Sequence, residues 1–203
     1  MSWLLAKIYD PFMRGMEEAC GNEWRRALLA GLKGSILEIG AGTGRNLDHY
    51  PRGARLTLAE PDRHMRRQLE AAVKKHPELE ATIVPWAAER IEADAQTFDA
   101  VVSTLVLCSV KDVAKVLGEI RRVLKPKGRL VFLEHVAAHD PKRLKWQRRI
   151  NPFWRAVAGN CHLARDTESA IRNAGFEIED VIHESARKAL PIVRPTIRGS
   201  ARV

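Results

Sequence analysis

Several features are scarce in this sequence of 203 residues, and each absence excludes a class of protein. No run of about eighteen uncharged apolar residues exists, so the sequence predicts no membrane-spanning helix. The N-terminus lacks the basic-then-apolar order of a secretory leader. The three cysteines, Cys20, Cys108 and Cys161, are odd in number and widely separated, which favours neither a disulfide framework nor a metal-binding spacing. We therefore expect a cytoplasmic protein without a metal site.

Acidic residues are outnumbered by basic ones, and aromatic residues make up only 6% of the chain. The net charge of +9 favours anionic partners, either a nucleic acid or an acidic membrane surface, although it also serves simple solubility. No RNA-binding motif accompanies the charge, so we expect no nucleic-acid partner. A peripheral contact with an anionic membrane stays open, and the sequence indicates no oligomeric state.

What the chain does contain is enough apolar sequence, 45% of its residues, for one full core. We interpret residues 1–203 as a single α/β domain. Residues 1–33 carry apolar residues at helical spacing and predict a helical lid before the first strand. Residues 139–165 interrupt the alternation of strands and helices and predict an insertion on the substrate side.

The most informative stretch of the sequence runs from Ser35 to Gly44 and reads SILEIGAGTG. An apolar run ends in glycines at positions 40, 42 and 44, which is typical of a buried strand leading into a tight turn that touches a ligand. The dinucleotide fingerprint would need a glycine at position 45, where the chain has Arg45. The spacing therefore favours a ligand without phosphate groups.

An acid follows at the distance that a ribose would require. Glu60 closes a second apolar run, about twenty residues after the first glycine, where its carboxylate can hold ribose hydroxyls. The residues from Arg45 to Tyr50 are compatible with the first turns of a helix. Glu38 and Asn46 flank the glycines on either side.

The remaining pattern predicts an alternating α/β chain. The predicted strands lie at 55–60, 81–85, 98–105, 129–135, 176–182 and within 190–203. The predicted helices lie at 22–32, from 62 onward, at 112–124 and at 167–174. The predicted turns lie at 125–128 and 151–154.

Four stretches in this order resemble the class I S-adenosylmethionine-dependent methyltransferases. They are LEIGAGTGRN at 37–46, AEPD at 59–62, FDAVVSTLVLCSV at 98–110 and RRVLKPKGRL at 121–130. Narrower stretches, TLVLCSV at 104–110, EHV at 134–136, WQ at 146–147 and GNCHLARDT at 159–167, resemble the alkyl thiol methyltransferases and their bacterial relatives.

The resemblance implies a Rossmann-like sheet of seven strands, mostly parallel with the last strand antiparallel, with helices on both faces. It also implies S-adenosylmethionine as the methyl donor. The donor-binding residues that it implies are Glu38, Gly40, Ala41, Gly42, Thr43, Gly44, Asn46, Glu60, Pro61, Met65, Ala87, Ala88, Glu89, Thr104 and Leu105. Relatives often carry an aspartate near position 87 for the adenine amine, and Ala87 here leaves that contact to the backbone or to Glu89.

On the acceptor side, the candidate residues are Tyr9, Cys108, His135, Asn160 and His162. A thiol with a pKa of about 8.5 is only partly ionised near neutrality, so a base or a positive field would assist its methylation. We assign that catalytic role to His135, as a base or as an orienting group, with His162 behind it.

Three functions are compatible with these features of the sequence. The first is a small-molecule methyltransferase that acts by direct in-line transfer, with a thiol as the favoured acceptor. The second is a phospholipid or quinone methyltransferase at a membrane surface. The third is a protein that binds the cofactor without catalysing a reaction.

Overall fold

The computed structural model describes Pro11 and residues 13–203, which contain one sheet of seven strands in the order β3-β2-β1-β4-β5-β7-β6. The strands are β1 Ser35–Ile39, β2 Arg55–Ala59, β3 Glu80–Val84, β4 Phe98–Thr104, β5 Leu124–His135, β6 Glu177–Ser185 and β7 Pro195–Arg202. The first five are parallel, while β7 pairs antiparallel with both β5 and β6. This confirms the predicted sheet with its antiparallel last strand.

Helices cover both faces of the sheet. They are α1 Asn22–Leu29, α2 Arg63–Val73, α3 Val113–Val123, α4 Pro141–Val157 and α5 Thr167–Asn173. Alternate residues of β1 point to opposite faces: Leu37 joins one core cluster and Ile36 the other. The central strands β1 and β4 are mostly buried and carry apolar residues on both faces for this reason.

Aspartate side chains begin four of the helices. Asp62, Asp112, Asp140 and Asp166 each accept a hydrogen bond from a backbone N–H of the first helical turn, which satisfies a group that the helix itself leaves unpaired. The predicted caps at 62 and 166 are confirmed, and Gly175 ends the last helix at a φ of 81° as predicted.

Two predicted local structures are wrong. Residues 45–50 form only a 3₁₀ turn over Leu47–His49, because Tyr50 precedes Pro51 and takes an extended conformation that a proline enforces on its neighbour. The segment from 151 to 154 is helical rather than a turn, with Pro152 inside α4. Buried Gln147 anchors that helix by hydrogen bonds to Val136 O, Ala138 N and Ile192 O.

A third prediction needs adjustment at the start of β5. Residues 125–128 form a bulge within the strand, between the pairs Phe98–Leu124 and Ala100–Arg129, and Lys127 takes a positive φ there. The bulge lets the helix α3 pass directly into the strand.

The segment before β1 is helical from residue 13, with a π-helical turn at Glu17–Gly21 that leads into α1. Met16, Cys20 and Trp24 pack there against Leu133 of β5 in a third buried cluster. The predicted lid residue Tyr9 lies outside the described residues. Among the described residues, no helix has the length and apolar character needed to cross a membrane.

Candidate active site

The turn after β1 exposes its backbone to the crevice at the carboxyl ends of the parallel strands. Gly40 and Gly42 have φ values of 58° and 59°, which β-carbon-bearing residues rarely adopt. A Cβ at Gly40 would lie 2.6 Å from the side chain of Val106, whereas a Cβ at Gly42 would meet only Gly40 O, at 3.9 Å. Strand β1 lies beside β4, where the chain order reverses, and such crevices are the ligand sites of open α/β sheets.

Glu60 lies directly after β2 and faces this turn. One of its carboxylate oxygens accepts the Gly42 N–H over 2.9 Å, and the other accepts the Asp62 N–H over 2.8 Å. Burial raises the pKa of Glu60, while these two amide contacts oppose the shift. Each oxygen keeps a second lone pair, so the carboxylate can still accept the two hydroxyls of a ribose.

No α-helix begins at the end of this turn within the described residues, since only the short 3₁₀ turn follows. The helix dipole that usually binds a pyrophosphate is therefore missing at the turn. The open backbone at Gly42 and the buried acid at Glu60 fit an adenosyl ligand that carries no phosphate, which agrees with the spacing of the glycines.

Buried polar side chains support the turn from below. Asn46 donates to Glu38 Oε1 over 2.9 Å and to Thr104 Oγ1 over 3.1 Å, so it joins β1 to the end of β4. Tyr50 donates to Glu38 Oε2 over 2.7 Å. Burial raises the pKa of Glu38 to about 7, against the opposing effects of Tyr50, Asn46 and Arg25. The prediction placed Glu38 and Asn46 beside the glycines, and the structure connects them directly.

The same network reaches the N-terminal helices through residues that the sequence analysis missed. Buried Arg25 donates to Asn46 Oδ1 over 2.6 Å and makes a two-point ion pair with buried Glu17, at 3.0 and 2.8 Å. Glu17, Arg25 and Tyr50 are spread over more than thirty residues of sequence. No local spacing indicates that they meet, although charged residues inside an apolar helical stripe were a signal.

The predicted adenine-side residues follow the next two strands. Pro61 lies after β2, and Met65 is buried in the first turn of α2. Ala87 and Ala88 follow β3, and Glu89 accepts the Lys111 N–H over 3.1 Å, which ties this segment to the loop after β4. All five parallel strands thus contribute residues to one edge of the sheet.

The loop after β4 is held by a buried acid. Glu134 accepts hydrogen bonds from the Ser103 hydroxyl and from the backbone N–H groups of Val106, Leu107 and Cys108, at 2.7–3.1 Å. Leu105, which begins the loop, takes a φ of 60°, an unfavourable value for a leucine. Glu134, which the sequence analysis quoted only as part of the EHV stretch and gave no role, fixes the position of Cys108.

The segment between α4 and α5 holds the same loop from the other side. His162 N donates to Cys108 O over 2.8 Å, and the Asn160 amide donates to Ser109 O over 2.7 Å. The Arg165 guanidinium donates to Leu107 O and Val110 O. Asn160 and His162, predicted on the substrate side, are therefore used here at least in part to position the loop.

Cys108, His135 and Cys161 meet at the carboxyl ends of β4 and β5. One ligand atom of each lies within 4.8 Å of the other two, and the Cys161 sulfur is 3.4 Å from His135 Nδ1. The Cys108 thiol lowers the pKa of Cys161, and the His135 ring and the Trp154 indole act in the same direction. The same pairing, with burial, raises the pKa of Cys108. Cysteine spacing in the sequence did not predict this cluster.

The fold matches solved methyltransferases of low sequence identity. A SAM-dependent methyltransferase from Thermotoga maritima superposes with a TM-score of 0.72 at 18% identity, covering 98% of this chain and 97% of that chain. A likeness at that identity concerns the architecture alone. The methyltransferase-domain family, in addition, matches residues 37–132.

Sequence relatives are closer. The human thiol S-methyltransferase TMT1B is 35% identical over 213 aligned positions, which cover 97% of this chain and 87% of that protein. A demethylmenaquinone methyltransferase from Thermobifida fusca is 31% identical, covering 74% of this chain and 67% of that protein. The S-adenosylmethionine cofactor agrees with the phosphate-free crevice described above. The chain therefore belongs to the S-adenosylmethionine-dependent methyltransferases, in the group that includes the thiol S-methyltransferases.

Proposed function

We propose that this methyltransferase acts on the sulfur of a small-molecule thiol, by direct in-line transfer. The observation that carries the proposal is its similarity to a thiol S-methyltransferase, which is higher in identity and covers more of the chain than the similarity to the quinone enzyme. The acceptor-side edge of the sheet is also rich in groups that suit sulfur chemistry, namely Cys108, His135 and Cys161.

S-adenosylmethionine supplies a methyl group that its sulfonium already activates. The chain consequently needs to hold the two reactants in line and to exclude water. Glu60 and the Gly40–Gly44 turn orient the donor through a carboxylate and an open backbone. Asn46 connects this turn to Thr104, so that the donor side and the loop that carries Cys108 are fixed relative to each other.

The acceptor must lose its proton before or during transfer. A thiolate is the reactive form, and an ordinary thiol is only partly ionised near neutral pH. His135, at the end of β5 and buried, is the residue to which we assign the proton or the orientation of the sulfur. Its ring contacts Cys161, so the role of His135 is exerted as part of the three-residue cluster.

The test compares acceptors with one preparation of the full chain and labelled S-adenosylmethionine. We expect methylation of an alkyl thiol or of sulfide, and little transfer to a reduced quinone or to phosphatidylethanolamine. Transfer to the quinol or to the lipid without transfer to any thiol would overturn the proposal. If the protein binds the donor but methylates none of these acceptors, the result would instead favour the non-catalytic alternative.

We propose in addition that helix α4 contacts an anionic membrane surface. Trp146, Phe153 and Val157 are 59%, 69% and 48% exposed, and their seven- and four-residue spacing puts them on one helical face. Exposed Lys142, Arg143 and Arg149 lie beside this apolar stripe. Aromatic side chains flanked by basic ones are typical of helices that lie in a membrane interface. A peripheral position of this kind would bring the acceptor side close to apolar thiols dissolved in the bilayer.

A further inference from the structure

We propose that Cys108, His135 and Cys161 form a zinc site whose fourth position takes the sulfur of the methyl acceptor. The inference has two halves. The acceptor half, in which the fourth position binds the methyl acceptor, rests on the proposed thiol function, whereas the metal half, the zinc site itself, does not. Two cysteines and one histidine are a common ligand set for Zn²⁺, and three protein ligands with one open position are typical of catalytic rather than structural zinc.

The positions of the ligand atoms support a metal. Bond lengths of about 2.3 Å to sulfur and about 2.0–2.1 Å to nitrogen place tetrahedral ligands roughly 3.5–3.8 Å apart. The Cys161 sulfur lies 3.4 Å from His135 Nδ1, and the three ligand atoms are all within 4.8 Å of one another. Small rotations of the side chains would close the remaining gap. Thiolate and imidazole ligands together select Zn²⁺ over hard cations such as Mg²⁺.

The three ligands come from three segments of the chain, and backbone contacts position each of them without a metal. The Cys161 N–H donates to Ala158 O over 3.1 Å. Cys108 is fixed by Glu134 through its N–H and by His162 through its carbonyl group. His135 is the last residue of β5, where it pairs with Thr196 of β7. Supports of this kind, outside the ligands themselves, are what hold metal-binding side chains in place.

An unpartnered polar group beside the cluster is a second, independent observation. The Trp154 indole is close enough to Cys161 to affect its thiol, and its nitrogen is buried without a hydrogen-bond partner among the described residues. An N–H group of this kind suits a negatively charged sulfur, which a metal-bound cysteine provides. Cys161 is also the partly exposed member of the three, so the cluster is reachable from the acceptor side.

The chemistry at such a site balances without any further reactant. The acceptor thiol gives its proton to solvent as its sulfur binds zinc, because the metal favours the thiolate. That sulfur then forms the new S–C bond, while the C–S bond of the donor sulfonium breaks and its electron pair stays on the donor sulfur. The neutral thioether product is a weaker ligand than the thiolate, and its release reopens the position. His135 would then act as a ligand rather than as a base.

The first test is the metal content of the full chain, purified with zinc present and freed of loosely bound ions by gel filtration. We expect about one zinc ion per chain. Cys108→Ser and Cys161→Ser should each hold about tenfold less, whereas Cys20→Ser should match the wild type. Cys20 is the matched control because it is a buried cysteine outside the cluster, bonded to Met16 O. Zinc-free wild type, or zinc retained by the Cys108→Ser/Cys161→Ser variant, would overturn the proposal.

The second test needs no variant, which protects it against misfolding. Co²⁺ replaces zinc in the wild-type chain, and four-coordinate thiolate ligation gives intense visible bands with a sulfur-to-metal charge-transfer band in the near ultraviolet. An alkyl thiol should shift these bands, and its alcohol analogue should not. Bands that do not shift when the thiol is added would overturn the acceptor half and leave a structural metal site. A Cys108–Cys161 disulfide in freshly purified, metal-free protein would overturn both halves.

Turnover separates this inference from the proposed function. We expect chelator-treated protein to lose thiol methylation and to regain it with Zn²⁺, while its affinity for S-adenosylhomocysteine stays the same. If zinc-free protein methylates thiols at the full rate, the binding of the acceptor sulfur to zinc is excluded and the thiol function stands, while the metal content decides on the zinc site itself. If zinc binds and no thiol is methylated, the thiol function fails and the metal site stands.

Discussion

The Gly42 backbone N–H donates to the Glu60 carboxylate over 2.9 Å, and this bond joins the turn after β1 to the residue after β2. Two motifs separated by about eighteen positions thereby become one surface for the donor. The contact fixes the acid beside the glycine turn, where we expect the ribose of the donor.

Replacing Glu60 by alanine should weaken donor binding. The loss of a buried acceptor for two hydroxyls costs about 1–3 kcal/mol, which corresponds to a rise of about 5-fold to 150-fold in the dissociation constant. Calorimetry with S-adenosylhomocysteine measures the change. Glu80→Ala is the control, since Glu80 is exposed at the opposite end of the sheet, at the start of β3. Equal affinity in Glu60→Ala and Glu80→Ala would mean that Glu60 does not hold the ribose.

Replacing His135 by alanine should lower turnover with an alkyl thiol by about tenfold to a thousandfold. Affinity for the donor should change by less than about twofold, because the turn and Glu60 are left intact. Initial rates across a pH series, with calorimetry alongside, separate the two effects. His139→Ala serves as the comparison, since that exposed ring contacts His183 and lies outside the cluster. Turnover of His135→Ala that equals that of the wild type at every pH would exclude a catalytic role of His135.

The stability of the free protein should fall between about pH 5 and pH 8, in part because of Glu38. Burial raises the pKa of Glu38 from 4.5 to about 7, so the folded chain holds this proton more tightly than the unfolded chain does. The stabilisation is complete below the unfolded pKa and is lost as the pH rises through the folded pKa. The free energy of unfolding should therefore decrease over this pH range by about 2 kcal/mol less in Glu38→Gln than in the wild type.

Denaturant titrations of both proteins across this range give the difference. The groups that face Glu38 are Tyr50, Asn46, Arg25 and Glu60, and they are present in both proteins. Parallel stability curves for the two proteins would show that Glu38 is already ionised in the folded chain.

Replacing Arg25 by alanine should destabilise the protein by about 3–5 kcal/mol, because it leaves the buried Glu17 carboxylate without its partner. Asn46 loses a donor in the same change. Thermal unfolding of Arg25→Ala and Arg26→Ala makes the comparison, since Arg26 is the exposed neighbour on the same helix. We expect the Arg26 variant to unfold close to the wild type, and equal losses in both would argue against a special role of the buried pair.

Replacing Trp146 and Phe153 by serine should reduce binding to vesicles of phosphatidylcholine and phosphatidylserine by at least about tenfold. Binding of the wild type should also weaken as salt is added, because the flanking lysine and arginine side chains contribute through screened charges. Co-sedimentation measures both effects. Leu190→Ser, which changes an exposed apolar residue outside α4, should bind as the wild type does. Wild-type protein that stays in the supernatant at low salt would contradict the membrane proposal.

The glycine turn and the acid that faces it could be predicted from the sequence because their signals are local. The glycines at 40, 42 and 44 need a particular backbone conformation, and Glu60 follows a strand at a fixed distance from them. The caps Asp62 and Asp166 were equally readable, since a cap bonds to amides two or three residues away. Where the local signal conflicted with longer-range contacts, as at Pro152 inside α4, the prediction failed.

The sequence by itself determined the fold class and the family, and it predicts the residues that face the methyl donor, because short motifs and local backbone preferences carry these signals. Only the tertiary structure decided which distant polar groups meet. Glu17, Arg25 and Asn46 form one buried network. Cys108 and His135 meet because parallel strands bring their carboxyl ends to one edge, and the segment between α4 and α5 brings Cys161 within 4.8 Å of both. The physical reason is that a buried polar contact depends on the packing of the whole sheet, which no single stretch of sequence specifies.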